Sequence, residues 1–130
     1  MSNKEMQAII EEYIKSHPGT SFIEIERLFE ENDFDFRGDI GIFPSTEQRK
    51  GDAFIGKNIL FWAGWNHQAC DIFCEIIAGD FHYETCPLLL YIADGGFLDI
   101  PIAKKHNHDY KDIHWLPAVI SADKKVFKEE

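Results

Sequence analysis

Residues 58–79, NILFWAGWNHQACDIFCEIIAG, decide how this chain is read. The run Asn58–Ala63 is nearly all apolar, the pattern of a central strand buried on both faces. A few residues later the period changes. Ala69, Ile72, Phe73, Ile76 and Ile77 recur at helical spacing, which predicts a helix over 66–78. Asn66 suits its N-cap, and Trp65 and Cys70 occupy the two positions of a hydrophobic staple. Gly79 suits its C-terminal cap.

Working toward the N-terminus, two more helices are expected. Met6, Ile9, Ile10, Tyr13 and Ile14 form an apolar stripe over 3–16, with Ser2 and Glu5 at capping-box spacing and Pro18-Gly19 as the stop. Phe22, Ile25, Leu28 and Phe29 form another over 21–32, with Ser21 and Glu24 as a second capping box and Asn32 as a left-handed stop. Phe34 and Phe36, then Ile40, Ile42 and Phe43, alternate around Arg37-Gly38-Asp39, which reads as a hairpin. Residues 44–57 read as a loop.

Toward the C-terminus, short strands are expected at 81–85, 88–93 and 97–102, with Asp94-Gly95-Gly96 as a turn. A last strand at 115–121 is confined to a sheet edge by Pro117. The fold class that follows is α+β. It comprises a single domain over 1–122, with three helices on a mostly antiparallel sheet, and a flexible tail over 123–130. Phe61, Trp62, Phe73, Ile76 and Leu89 are expected in its core.

Two resemblances add to this reading. The two leading helices and hairpin, or the helix at 66–78 with the strands after it as third helix and wing, resemble a winged-helix module. The segments ILFWAGWN, LLLYIADGGFLDIPIA and HWLPAVIS resemble those of small uncharacterised proteins on prophages and pathogenicity islands of Gram-positive bacteria. That resemblance implies a mobile-element protein acting in a bacterial cytoplasm, and it carries no catalytic signature.

The 130 residues hold 13 Lys and Arg against 23 Asp and Glu, a net charge of −10. Residues 51–100 carry seven acids and Lys57 alone. Such a field repels phosphate backbones and anionic membranes, because affinity for both comes from Lys and Arg. No apolar run reaches the ~18 residues of a membrane span, and MSNKEMQAII lacks the apolar core of an export signal. Three cysteines, an odd count, argue against a disulfide framework and for a reducing cytoplasm.

The sharpest functional feature is the acidic stretch Glu24–Asp39, with seven acids and two bases interleaved with Phe22, Phe29, Phe34 and Phe36. Glu24, Glu30, Glu31, Asp33 and Asp35 are its candidate contacts to a protein partner with a basic surface. Acidic charge selected only for solubility would leave the same pattern.

Three alternatives compete. Asn66, His67 and Gln68 could read bases in a winged-helix DNA-binding regulator, but Asp71 and Glu75 on the same helix oppose phosphate. His106, His108, Asp109 and His114 fall within nine residues and offer imidazole and carboxylate to a metal, as in a small metal-assisted hydrolase. Lys104, Lys105 and Lys111 would repel the cation, and His-rich polar loops are ordinarily just solvated. Cys70, at the start of a helix with His67 nearby, has the makings of a nucleophile but no third, orienting residue. Arg37-Gly38-Asp39 is a turn in a chain without an export signal. Gly95-Gly96 lacks the helix and Lys of a phosphate loop, so no cofactor is implied. The leading expectation is therefore a small acidic regulatory or inhibitory binding module, not an enzyme.

Overall fold

Local capping starts three of the helices. In the computed structural model, which describes residues 1–43, 58–96, 98–104 and 109–122, α1 runs Asn3–Ser16 and α2 runs Phe22–Glu31. Each begins with a reciprocal capping box. Ser2 Oγ accepts from the Glu5 N–H (3.1 Å) and Ser2 N–H donates to Glu5 Oε1 (2.8 Å). Ser21 and Glu24 repeat the arrangement at 3.1 and 3.0 Å. Helix α3 (His67–Ala78) starts from Asn66, whose Oδ1 accepts the Ala69 N–H at 2.9 Å. These helices lie where the spacing puts them. Asn32 does cap α2, but the left-handed residue is the next one, Asp33 (φ 53°).

Strands Thr20–Ser21 (β1), Phe81–Thr85 (β5) and Ala118–Ala122 (β7) form an antiparallel sheet in the order β1-β7-β5. Ile120 pairs with Thr20 on one side and Tyr83 on the other. The expected edge strand at 115–121 is therefore corrected. Pro117 interrupts it, and the part beyond, β7, is the central strand, with all five residues buried.

The stretch 58–65 is also more divided than its apolar run suggests. Ile59–Leu60 (β3) pairs in parallel with His114–Trp115 (β6), while Trp62–Trp65 (β4) pairs antiparallel with Arg37–Ile42 (β2). No hairpin turns at Arg37-Gly38-Asp39. The strand runs through and bulges, so that Arg37 and Ile40 both face Trp65. Gly38 is required there: a Cβ would lie 2.7 Å from the Trp65 carbonyl oxygen and the Asn66 Cα.

The clearest reversal is at 88–94, expected as a strand and found as a fourth helix, α4 (Leu88–Asp94). Pro87 opens it and Gly95, left-handed at φ 98°, closes it, so Asp94-Gly95-Gly96 is a helix end and not a hairpin turn. Tyr91 is its fully buried residue, and Leu89, expected in the core, is 71% exposed. Among the described residues of 97–102, only Ile102 makes a β-bridge, to Trp115. The molecule is thus mixed α+β with four helices among the described residues. The expected loop 44–57 and tail 123–130 lie outside those residues.

The core is built on aromatic rings. Phe22 stands between Trp62, Trp65 and Phe73, at centroid distances of 6.2, 5.7 and 5.1 Å. Trp62 meets Tyr91 and Trp115, and Phe29 gathers Phe34, Phe36 and Trp65. Phe61, Phe73 and Ile76 are buried here as expected. Buried indoles need an acceptor. Trp115 Nε1 donates to the Phe61 carbonyl (2.9 Å), and Trp62 Nε1 and Trp65 Nε1 both donate to Glu26 Oε2, each at 2.8 Å.

Removing Glu26 tests this arrangement. Glu26→Ala should cost about 2–5 kcal/mol, since two indole N–H groups lose their acceptor. Glu26→Gln keeps an oxygen in place and should cost clearly less. Phe73→Ala should cost about 3–5 kcal/mol. Urea unfolding of the three variants gives these differences; equal, small losses for both Glu26 variants would contradict the assignment.

Candidate functional site

The acidic stretch is divided by the fold into acids used inside and acids left outside. Glu24 is half-buried: its Oε1 accepts from Ser21 N–H and its Oε2 from the Tyr13 hydroxyl at 2.5 Å. It holds α1 to α2. Glu30 pairs with Arg37 at 2.7 Å. Arg37 also lies over the Phe36 ring, 5.0 Å from its centroid. Arg27 donates to the Asp94 carbonyl at 2.6 Å, so both bases of the stretch are engaged.

Glu31, Asp33 and Asp35 are exposed on one short segment, and Asp39 is exposed further along, on β2. Asp33 and Asp35 alternate with Phe34 and Phe36, which are buried against Phe29. The same alternation that sends the rings inward sends the carboxylates outward. The phenylalanines are thus core residues and offer nothing to a partner. Asp35 is fixed in place, its carbonyl accepting from Asn66 Nδ2 at 2.9 Å.

The residues of the metal alternative are only partly described. His106 and His108 lie outside the described residues. Asp109 is exposed, and His114 stacks on Tyr110 (4.0 Å) with Nδ1 2.8 Å from the Asp112 carbonyl. Among the described residues no three His, Cys, Asp or Glu side chains are grouped to hold a metal.

The cysteines are poorly suited to nucleophilic work. Burial pushes all three thiols up from their ordinary range, Cys86 to about 11, with Asp94 adding to the effect there. Cys74 and Asp71 raise Cys70 further, so the thiolate expected from the helix start is opposed. His67 is exposed and lies 3.6 Å from Asp71.

One surface was not anticipated. Helix α4 turns Leu89 and Ile92 outward, 71% and 53% exposed, beside a cavity of about 470 Å³ lined by Leu88, Ile92, Gly95 and Gly96. The signal was present in the sequence, because a helix that buries Tyr91 must present Leu89 elsewhere. It was hidden by reading LLLYIA as a strand.

No protein-family model, curated protein or solved structure matches this chain. No helix among the described residues is long and apolar enough to cross a membrane.

The buried Tyr91 hydroxyl and the partly buried Tyr13 hydroxyl and Cys86 thiol favour their protonated forms in the fold. Burial and Glu24 push Tyr13 up to about 12, burial raises Tyr91 further, and Cys86 stands at about 11. Each group binds its proton more tightly folded than unfolded. Its contribution is whole below the unfolded pKa and is lost as pH climbs through the folded one. Urea midpoints should therefore decline once pH passes about 9, the ordinary thiol value, and keep declining through about 11. A midpoint constant or rising across that window would contradict the burial of these groups.

Proposed function

We propose that this chain is a small acidic protein-binding module of the cytoplasm, built on a winged-helix-like frame, that regulates or inhibits a partner with a basic surface. Support for the frame comes from the element order α1-β1-α2-α3-β5-β7 and the sheet order β1-β7-β5. In that reading α3 takes the place of the third helix and the β5–β7 pair is the wing. Two additions accompany it: β2 to β4 between α2 and α3, and α4 with β6 between the wing strands.

The observation that carries the binding reading is the outward side of α3. In a winged-helix regulator that helix enters the major groove, where Lys and Arg offset phosphate. Here its exposed residues are His67, Gln68, Asp71, Cys74, Glu75 and Ala78, with no Lys or Arg. Gln68 Nε2 is bonded to Asn3 Oδ1 of α1. Glu31, Asp33 and Asp35 extend the same sign of charge, which favours a cationic protein over a nucleic acid. The resemblance to prophage and island proteins supports a mobile-element origin. The second reading, a DNA-binding regulator, is favoured by the element order alone.

Two measurements test the proposal. Fluorescence polarisation with random and operator-like duplexes should show no binding at about 150 mM salt; submicromolar, sequence-selective binding would overturn it. Capture of a partner from a bacterial lysate should weaken as salt rises and fall further for Glu31→Lys with Asp35→Lys. These exposed changes should cost within ~0.5 kcal/mol of stability each. Equal capture by wild type and double variant would reduce the acids to a solvated face.

A further inference from the structure

Cys70 and Cys74 stand four residues apart on α3, so their side chains share one face of the helix. Both thiols are free; Cys70 is half-buried and Cys74 exposed. Each lines the same cavity of about 310 Å³, whose other walls are Phe73 of α3 and residues 40–43 at the end of β2. Ile40, Ile42, Phe43 and Phe73 make that cavity apolar. A dithiol therefore borders an apolar cavity, an arrangement that neither the core nor the acidic surface requires.

The spacing decides what the pair takes. Cβ atoms four residues apart on a helix are about 5–6 Å from each other, whereas a disulfide needs about 3.8 Å. A direct S–S bond would distort α3, but one large atom held between the sulfurs would not. Among the described residues no three His, Cys, Asp or Glu side chains are grouped to hold a metal. Zinc and iron–sulfur clusters, which take four ligands, are therefore poorly served. Charge separates the soft centres that accept two sulfurs. Burial, then Cys74 and Asp71, push the Cys70 thiol up, and burial, Asp71 and Glu75 do the same to Cys74. Two thiolates on a monovalent cation would leave net negative charge in that acidic field. A trivalent arsenic bound to two sulfurs and one organic group is neutral. Its organic group also suits the cavity, since an apolar void of about 150 Å³ already takes a benzene ring.

We propose that Cys70 and Cys74 form a dithiol clamp for a trivalent arsenic centre carrying one apolar organic group, with that group in the cavity between α3 and β2. The reactant is an organoarsenic oxide, R–As=O. Two As–S bonds form, the bonds from arsenic to oxygen break, and the oxygen leaves with both thiol protons as water. Arsenic stays trivalent, so no oxidant or reductant is consumed. Thiols held protonated carry less thiolate, but their sulfur is intrinsically more nucleophilic, and the neutral product needs no thiolate. This site is independent of the reading of the chain as a binder of basic proteins.

The probe is phenylarsine oxide, added to the full chain in excess glutathione. Native mass spectrometry should show one phenylarsenic group per chain, gained with the loss of two protons. Cys70→Ser and Cys74→Ser should each weaken retention at least about a hundredfold, because the second As–S bond is intramolecular only when both sulfurs are present. Cys86→Ser should leave retention unchanged. Circular dichroism establishes that the variants fold, serine being close to cysteine in size. Wild-type retention by either single variant, attachment at Cys86, or loss of the group from the wild type to glutathione would each overturn the proposal. The methyl analogue tests the cavity. Relative to a small free dithiol, the protein should favour phenyl over methyl at least about tenfold; equal preference would contradict the placement of the organic group.

Discussion

One carboxylate oxygen, Glu26 Oε2, accepts the indole N–H groups of both Trp62 and Trp65 at 2.8 Å. Much of the remaining architecture depends on it. Residues three apart in a regular strand face opposite sides, so two indoles of one short strand would not ordinarily reach one acceptor. Gly64, at φ 96°, breaks the alternation between them. Trp65 is then fully buried, and the next residue, Asn66, is fixed by its N–H to the Phe36 carbonyl (2.7 Å) before it caps α3. The position of α2 against β4 thus sets where α3 begins. Phe73 of α3 closes the same cluster against Phe22 and Trp65.

This division of labour shapes the surface. The acids Glu24 and Glu26 of α2 are held by Tyr13 and by the two tryptophans, and Glu30 is held by Arg37. Within the stretch 24–39, Glu24 and Glu26 are thus used for hydrogen bonds between elements, while Glu31, Asp33, Asp35 and Asp39 are left to solvent. Likewise Tyr91 secures α4 through its hydroxyl and ring, so the other apolar residues of that helix need not enter the core. Asp94 at the end of the helix adds bonds from Ser21 to its carboxylate (2.7 Å) and from Arg27 to its carbonyl (2.6 Å), and Leu89 and Ile92 stay exposed on the side away from Tyr91.

The helices α1, α2 and α3 were legible because their signals are local. A Ser or Asn cap, a Glu three residues on and a repeat of apolar residues all act within one or two turns. The strands depend on distant partners and were read less well. Nothing within NILFWA indicates that Ile59–Leu60 pairs with His114–Trp115 and that Trp62 onward pairs with β2. Pro117 signals an interruption, but only the whole fold makes the residues after it a central strand. A short apolar run such as LLLYIA fits strand and helix equally, and Tyr91, which satisfies its hydroxyl across 27 residues, decided for helix. At the candidate site, the exposed acids 31, 33 and 35 could be read from their alternation with phenylalanine. The bond of Glu24 to Tyr13 and the inward use of Glu26 could not, since beyond the capping box of Glu24 both look like the solvated face of α2.

The indole protons give the most direct test of the Glu26 attachment. In deuterated water, followed by NMR, the Nε1 protons of Trp62 and Trp65 should exchange slowly, as hydrogen-bonded buried donors do. Both resonances should move together in Glu26→Gln. The Trp115 indole, bonded to the Phe61 carbonyl, should stay in place. Rapid exchange of the Trp62 and Trp65 indoles in the wild-type protein, or resonances indifferent to Glu26→Gln, would contradict the account.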